Sequence, residues 1–142
     1  QQLASELDLG ERIRFAGHIP DPARLYSTFD IFALSSDTEQ MPLSVLEAMA
    51  AGLPVAATDV GDVRSMLSAE NAPFVVPKDD DALAGALRGL CDAAPAARRR
   101  VGAANRAKAE HEYDEQVMVE AYRALFAGEP AVSVAPTSPA IR

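Results

Sequence analysis

Glu39 and Glu47 stand with seven residues between them, the first in a loop that leaves an apolar strand pattern, the second on the helix that follows. The i±3 and i±4 neighbours of Glu47 are Leu43, Ser44, Ala50 and Ala51. None is a cation, so this carboxylate has no partner on its own helix and must accept hydrogen bonds from outside it. Pro42 suits the start of that helix, and the free amides just after it form an anion-binding helix start aimed at the same crevice. Two carboxylates for hydroxyls and one amide cradle for phosphate give the chemistry of a nucleotide-sugar site. Either glutamate alone reads as a surface residue compensating a helix dipole; the combination carries the functional reading.

Short apolar runs alternate with helical patterns on either side of this segment. The spacing of Leu3, Leu7 and Leu9 predicts the end of a helix capped by Gly10. Strand patterns fall at residues 13–17, 30–34, 54–58 and 73–76, the second nearly all apolar, as for a strand covered on both faces. Helices are predicted from Pro22 to about Thr28, over 43–51 with Gly52 at the end, and over 63–67. Beyond Lys78 the pattern is helical only. Asp79, Asp80 and Asp81 open a helix with apolar positions Leu83, Leu87, Leu90 and Cys91, and two more follow over about 96–110 and 115–127. Strand–helix alternation implies parallel βαβ units, with ligands outside the carboxyl ends of the strands. The expected fold class is α/β: a Rossmann-like parallel sheet with flanking helices and a helical C-terminal part. Residues 1–127 form the domain, and the Pro, Ala and Ser of 128–142 predict a disordered tail.

Composition bounds the function. The chain has 142 residues with 13 Lys+Arg against 21 Asp+Glu, a formal charge of −8, which disfavours a nucleic-acid or anionic-membrane binder. One cysteine excludes an internal disulfide framework and a multi-Cys zinc site. No apolar run approaches the roughly 20 residues of a membrane span. Cys91 reads as a buried, inert thiol, Arg98-Arg99-Arg100 as a solvated charge run, His111 as a surface residue, and Tyr113, Tyr122 and Phe126 as packing residues.

The run Ser-x-x-Thr-Glu39-x-x-Pro42-x-x-x-x-Glu47-Ala-Met-Ala-x-Gly-x-Pro-Val resembles the signature of family 4 (group 1) retaining glycosyltransferases, whose fold is the two-domain GT-B type. Similarity extends to Arg14-Phe15-Ala16-Gly17-His18-Ile19-Pro20, Asp30-Ile31-Phe32-Ala33-Leu34-Ser35-Ser36 and Ala57-Thr58-Asp59-Val60-Gly61, covering most of residues 3–126. The resemblance implies that Glu39 contacts donor-sugar hydroxyls, as the catalytic residue, and that Glu47 holds the nucleotide ribose. The main chain of Met41, Leu43 and Ser44, beside Pro42, would face the sugar and distal phosphate, with His18 and Ile19 against the nucleobase. It implies no cofactor and no essential metal, a sugar or lipid-linked acceptor, and a cytoplasmic setting that extends to peripheral association at the membrane face. The alternatives are a non-catalytic interaction or remnant module and, fitting the Glu-Ala-Met-Ala-x-Gly run less well, a nucleotide-sugar epimerase.

Departures from the family pattern bear on the sugar pocket. Gln40 and Met41 stand where a glycine is common after the first glutamate, Asp62 stands for a second glycine after Gly61, and Ser65 stands where an acidic residue is frequent. Between Gly17 and Pro54 the only formal cation is Arg24. The resemblance puts the phosphate-binding Arg and Lys, two further strands and the acceptor-binding domain before Gln1. The expectation is a partial donor-binding half of a GT-B fold, dependent on further sequence or a partner, with Gln1 as a cut edge.

Overall fold

The computed structural model describes residues 1–128; the tail expected over 128–142 lies, except for Gly128, outside the described residues. Helix α1 (Gln2–Glu6) and a 3-10 turn (Gly10–Arg12) lead through an extended segment to the short helix α2 (Ala23–Tyr26). Then β1 (Phe32–Leu34), α3 (Leu43–Ala50), β2 (Val55–Thr58) and α4 (Val63–Met66) follow. A second 3-10 turn (Ala69–Phe74) enters β3 (Val75–Val76), and α5 (Asp80–Asp92), α6 (Pro95–Glu112) and α7 (Glu115–Ala127) complete the described chain.

The three strands form one parallel sheet in the order β1-β2-β3. Phe32 pairs with Val55 and Leu34 with Ala57 on one side, and Thr58 with Val76 on the other. β2 is buried at all four positions, and its period of two splits the core. Val55 and Ala57 join Val45, Met49, Val63 and Met66 beneath α3 and α4. Ala56 meets Ala86 and Leu90 of α5, with Leu83 and Leu87 at the margin. An apolar run without alternation is what two-sided burial requires.

Local signals placed the helix ends well. Pro42 precedes α3, Gly52 follows it at φ +75, and the Asp79 side chain accepts the Ala82 amide at 2.8 Å to cap α5. The strand predicted at residues 13–17 does not form. Ile13 is extended, yet Ile13 and Phe15 are exposed, and among the described residues β1 pairs only with β2. Extended backbone becomes a strand only when a neighbour accepts and donates its ladder bonds. The strand predicted at 73–76 shortens to β3 because the 3-10 turn, with Pro73 inside it, takes up its start. Gly10 opens a 3-10 turn rather than capping α1.

Four side-chain expectations are corrected. Cys91 is exposed: the buried stripe runs through Ala86 and Leu90, and one residue further rotates about 100° off it. Arg98 is not simply solvated; its Nη1 donates to the carbonyls of Leu90, Cys91 and Ala93, closing the end of α5. Tyr122 and Phe126 do not pack into the core but stack on each other, centroids 6.5 Å apart, on an exposed face of α7. Tyr113 does pack against the larger core cluster.

A polar knot inside the core was not legible. Asn105 of α6 donates to the Leu53 carbonyl at 2.9 Å and to Asn71 Oδ1 at 2.8 Å, and accepts from the Ser68 amide and hydroxyl. Asn71 accepts the Val55 amide at 2.9 Å and donates to the Val55 carbonyl at 2.8 Å. Both asparagines are fully buried, and each polar atom has a partner, as burial requires.

Candidate functional site

The loop leaving β1 is fixed from beneath by the loop leaving β2. Thr58, buried at the end of β2, donates its hydroxyl to the Ser36 carbonyl at 2.7 Å. The Ser36 hydroxyl in turn donates to Glu39 Oε1 at 2.6 Å. Gly61, at φ +52, lies so close to the carbonyls of Glu39 and Gln40 that a Cβ has no room, and the Asp62 amide donates to the Gln40 carbonyl at 2.8 Å. A short hydrogen bond to a carboxylate is of the stronger, charge-assisted kind, so one oxygen of half-buried Glu39 is held from within.

Helix α3 begins at once after this loop. The Pro42 carbonyl accepts the amides of Val45 at 3.1 Å and Leu46 at 3.4 Å. The amides of Leu43 and Ser44 meet no acceptor among the described residues, as expected for the first turn of a helix. Pro42 is buried, while Met41 and Leu43 project outward.

Glu47, one turn further on, receives the hydrogen bond that its own helix could not supply. Tyr26 of α2 donates its hydroxyl to Glu47 Oε2 at 2.8 Å. The Tyr26 ring is 6 % exposed and lies 6.0 Å from the Phe29 ring and 5.8 Å from that of Phe32. Burial first, then the hydrogen bond to Glu47 and its negative charge, push the phenol up to about 12. The phenol is therefore a neutral donor throughout the physiological range. Sequence reasoning missed Tyr26; its signal was the carboxylate at Glu47 with no partner on its own helix, which leaves it open to a donor from another element. Glu47 also lines a cavity of about 430 Å³ with Leu46, Ala50, Arg106 and Tyr113.

His18 is exposed and Ile19 half-buried on the extended segment before α2, and among the described residues neither side chain is hydrogen-bonded to Glu39 or Glu47. Of the cations outside the span from Gly17 to Pro54, Lys78 stands in the loop after β3 and Arg64 on α4. Lys78 Nζ is 3.7 Å from Asp37, and Arg64 pairs with Asp59 at 2.7 Å while donating to the Val75 carbonyl. Among the described residues no cluster of three or more His, Cys, Asp or Glu could hold a metal ion, and no helix is long and apolar enough to cross a membrane.

A parallel sheet flanked by helices, with two carboxylates and an open helix start at its carboxyl ends, defines a Rossmann-like α/β protein built as part of a GT-B fold. The family model described as glycosyl transferases group 1 matches residues 1–93, and the chain belongs to that family. It is 31% identical over 127 residues to the lipopolysaccharide core biosynthesis glycosyltransferase LpsD of Rhizobium meliloti, covering 89% of this chain and 37% of the relative. It is 33% identical to D-inositol 3-phosphate glycosyltransferase of Mycolicibacterium paratuberculosis, over 86% of this chain and 29% of the relative. Among solved structures it matches sucrose-phosphate synthase from Thermosynechococcus elongatus with a TM-score of 0.74 at 33% identity, covering 90% of this chain and 34% of that one. The chain thus spans between 29% and 37% of the length of these three proteins.

Proposed function

We propose that this chain supplies the donor-binding part of a retaining glycosyltransferase. In this reading Glu39 contacts the donor-sugar hydroxyls and Glu47 the nucleotide ribose. The main chain at Met41, Pro42, Leu43 and Ser44 receives the sugar and distal phosphate, and the backbone at His18 and Ile19 lies against the base. The supporting observation is that the two carboxylates, on either side of an open helix start, are each held by an internal hydroxyl on one oxygen. A carboxylate fixed by one donor presents its other oxygen in a set direction, which is how hydroxyl-bearing ligands are oriented.

During transfer the bond from the anomeric carbon to the diphosphate breaks, the acceptor oxygen bonds to that carbon on the same face, and the acceptor's hydroxyl proton passes to the leaving diphosphate oxygen. The negative charge that develops on the leaving diphosphate is met by the amides of Leu43 and Ser44, with cations from the rest of the whole protein and without an essential metal. The acceptor is a sugar or a lipid-linked sugar entering from an N-terminal domain, and the reaction is placed in the cytoplasm, at the membrane face where the acceptor is lipid-linked. In the full-length protein Glu47→Ala is expected to weaken nucleotide-sugar binding roughly tenfold to a hundredfold, the loss of about 1.5–3 kcal/mol for a hydrogen bond to a charged group. Calorimetric titration checks this, and unchanged affinity removes Glu47 from the site.

A further inference from the structure

Tyr26 lies outside the run from Ser35 to Val55 that carries the resemblance to the family signature, yet its hydroxyl makes the one hydrogen bond to the Glu47 side chain found among the described residues. Its hydroxyl is committed to Glu47 Oε2 at 2.8 Å, and its ring is wedged between Phe29 and Phe32. The carboxylate it holds is itself exposed, and the other oxygen, Oε1, has no hydrogen bond within the described residues. A free glutamate side chain samples several rotamers, and fixing one of them is the cost that a ligand must otherwise meet on binding. A buried phenol already bonded to one oxygen removes much of that cost.

We propose that Tyr26 is a positioning residue for Glu47: by occupying Oε2 from the core side it turns Oε1 outward to accept the two ribose hydroxyls of a nucleoside diphosphate. The inference rests on the donor-site reading above, and it names the part of the ligand that Tyr26 governs indirectly. The ring's aromatic neighbours fix the phenol, the phenol fixes the carboxylate, and the carboxylate reads the ribose. Burial and the neighbouring negative charge keep the hydroxyl protonated, so the donor is present at any pH at which the protein works.

The test uses the full-length protein with UDP, GDP and ADP, taking the tightest of the three and its 2′,3′-dideoxy counterpart. The readout is the ratio of the two affinities by calorimetry. The wild type is expected to prefer the ribonucleotide. Tyr26→Phe, which keeps the ring and removes one oxygen, is expected to cut that preference by about tenfold, with binding of the dideoxy nucleotide unchanged. Retained dideoxy binding also shows that the variant is folded. Phe29→Leu, which loosens the ring while keeping the hydroxyl, is expected to lose only part of the preference. Glu47→Gln, alone and combined with Tyr26→Phe, should abolish it to the same extent. A Tyr26→Phe protein with the wild-type ratio, beside a Glu47→Gln protein that has lost it, overturns the role of Tyr26 and leaves the donor site standing. If Glu47→Gln also keeps the ratio, or no nucleotide binds, the donor-site reading falls and takes this inference with it.

Discussion

At Tyr26 a buried phenol and a carboxylate share one hydrogen bond, and the pair gives the fold an alkaline sensitivity. Folding raises the phenol from its ordinary 10 to about 12, through burial first and then through Glu47. The folded state therefore holds this proton more tightly than the unfolded chain does, and the stabilisation is fully present below pH 10. It is lost as pH rises from about 10 towards 12. Tyr113, raised by burial and by Glu112 and Asp62, acts with the same sign. Urea unfolding midpoints measured across this range should fall for the wild type and fall less for Tyr26→Phe. Parallel curves for the two proteins would show that Tyr26 is not the group responsible. None of this was legible from residue types, because Tyr26 and Glu47 are 21 positions apart and belong to different helices.

Between elements, the decisive contact is the loop after β2 pressing on the loop after β1. Gly61 holds φ +52 against the carbonyls of Glu39 and Gln40, and only glycine fits both the conformation and the space. Gly61→Ala should cost about 1–3 kcal/mol in chemical denaturation and should also reduce nucleotide-sugar affinity, because the Glu39 loop must move aside. Wild-type affinity in a destabilised Gly61→Ala protein would separate the loop from the site. Elements set by their own residues were readable: Pro42 before α3, Gly52 after it, Asp79 capping α5. The segment 13–17 was not, since its apolar alternation says extended but not beside what. Cys91 was misplaced by a single helical step, and Arg98 by treating charge as solvation when three carbonyls lay within reach.

At the scale of the whole molecule, α6 is tied to the segments around β2 through Asn105 as well as through apolar packing. Asn105 of α6 reaches Leu53 before β2, Ser68 after α4 and Asn71 in the second 3-10 turn. Asn105→Ala leaves several of these groups buried without partners, at about 1–3 kcal/mol for each stranded group, so a total loss of about 2–4 kcal/mol is expected. Equilibrium urea unfolding checks it, and a change below about 0.5 kcal/mol, the range of an ordinary surface substitution, would show the knot to be dispensable. The family and the two glutamates were legible because they lie in one contiguous motif. The knot was not, because its members stand 34 and 37 residues apart.

The order of groups along the β1–α3 junction sets up a pattern of charge. Passing from Glu39 through the amides of Leu43 and Ser44 to Glu47, the local charge runs negative, positive, negative. In the proposed donor site such an alternation would read a ligand by where its charge lies along its length. There, a molecule with its anion in the middle and neutral hydroxyls at both ends matches this alternation, whereas one with a further phosphate beyond the diphosphate sets like charges against each other at Glu39. The junction would then act as a filter against nucleoside triphosphates. Because both ends of the pattern carry the same sign, charge does not distinguish the sugar end from the ribose end. That direction is left to shape, and Gln40 and Met41 are where this chain's shape departs from the family pattern.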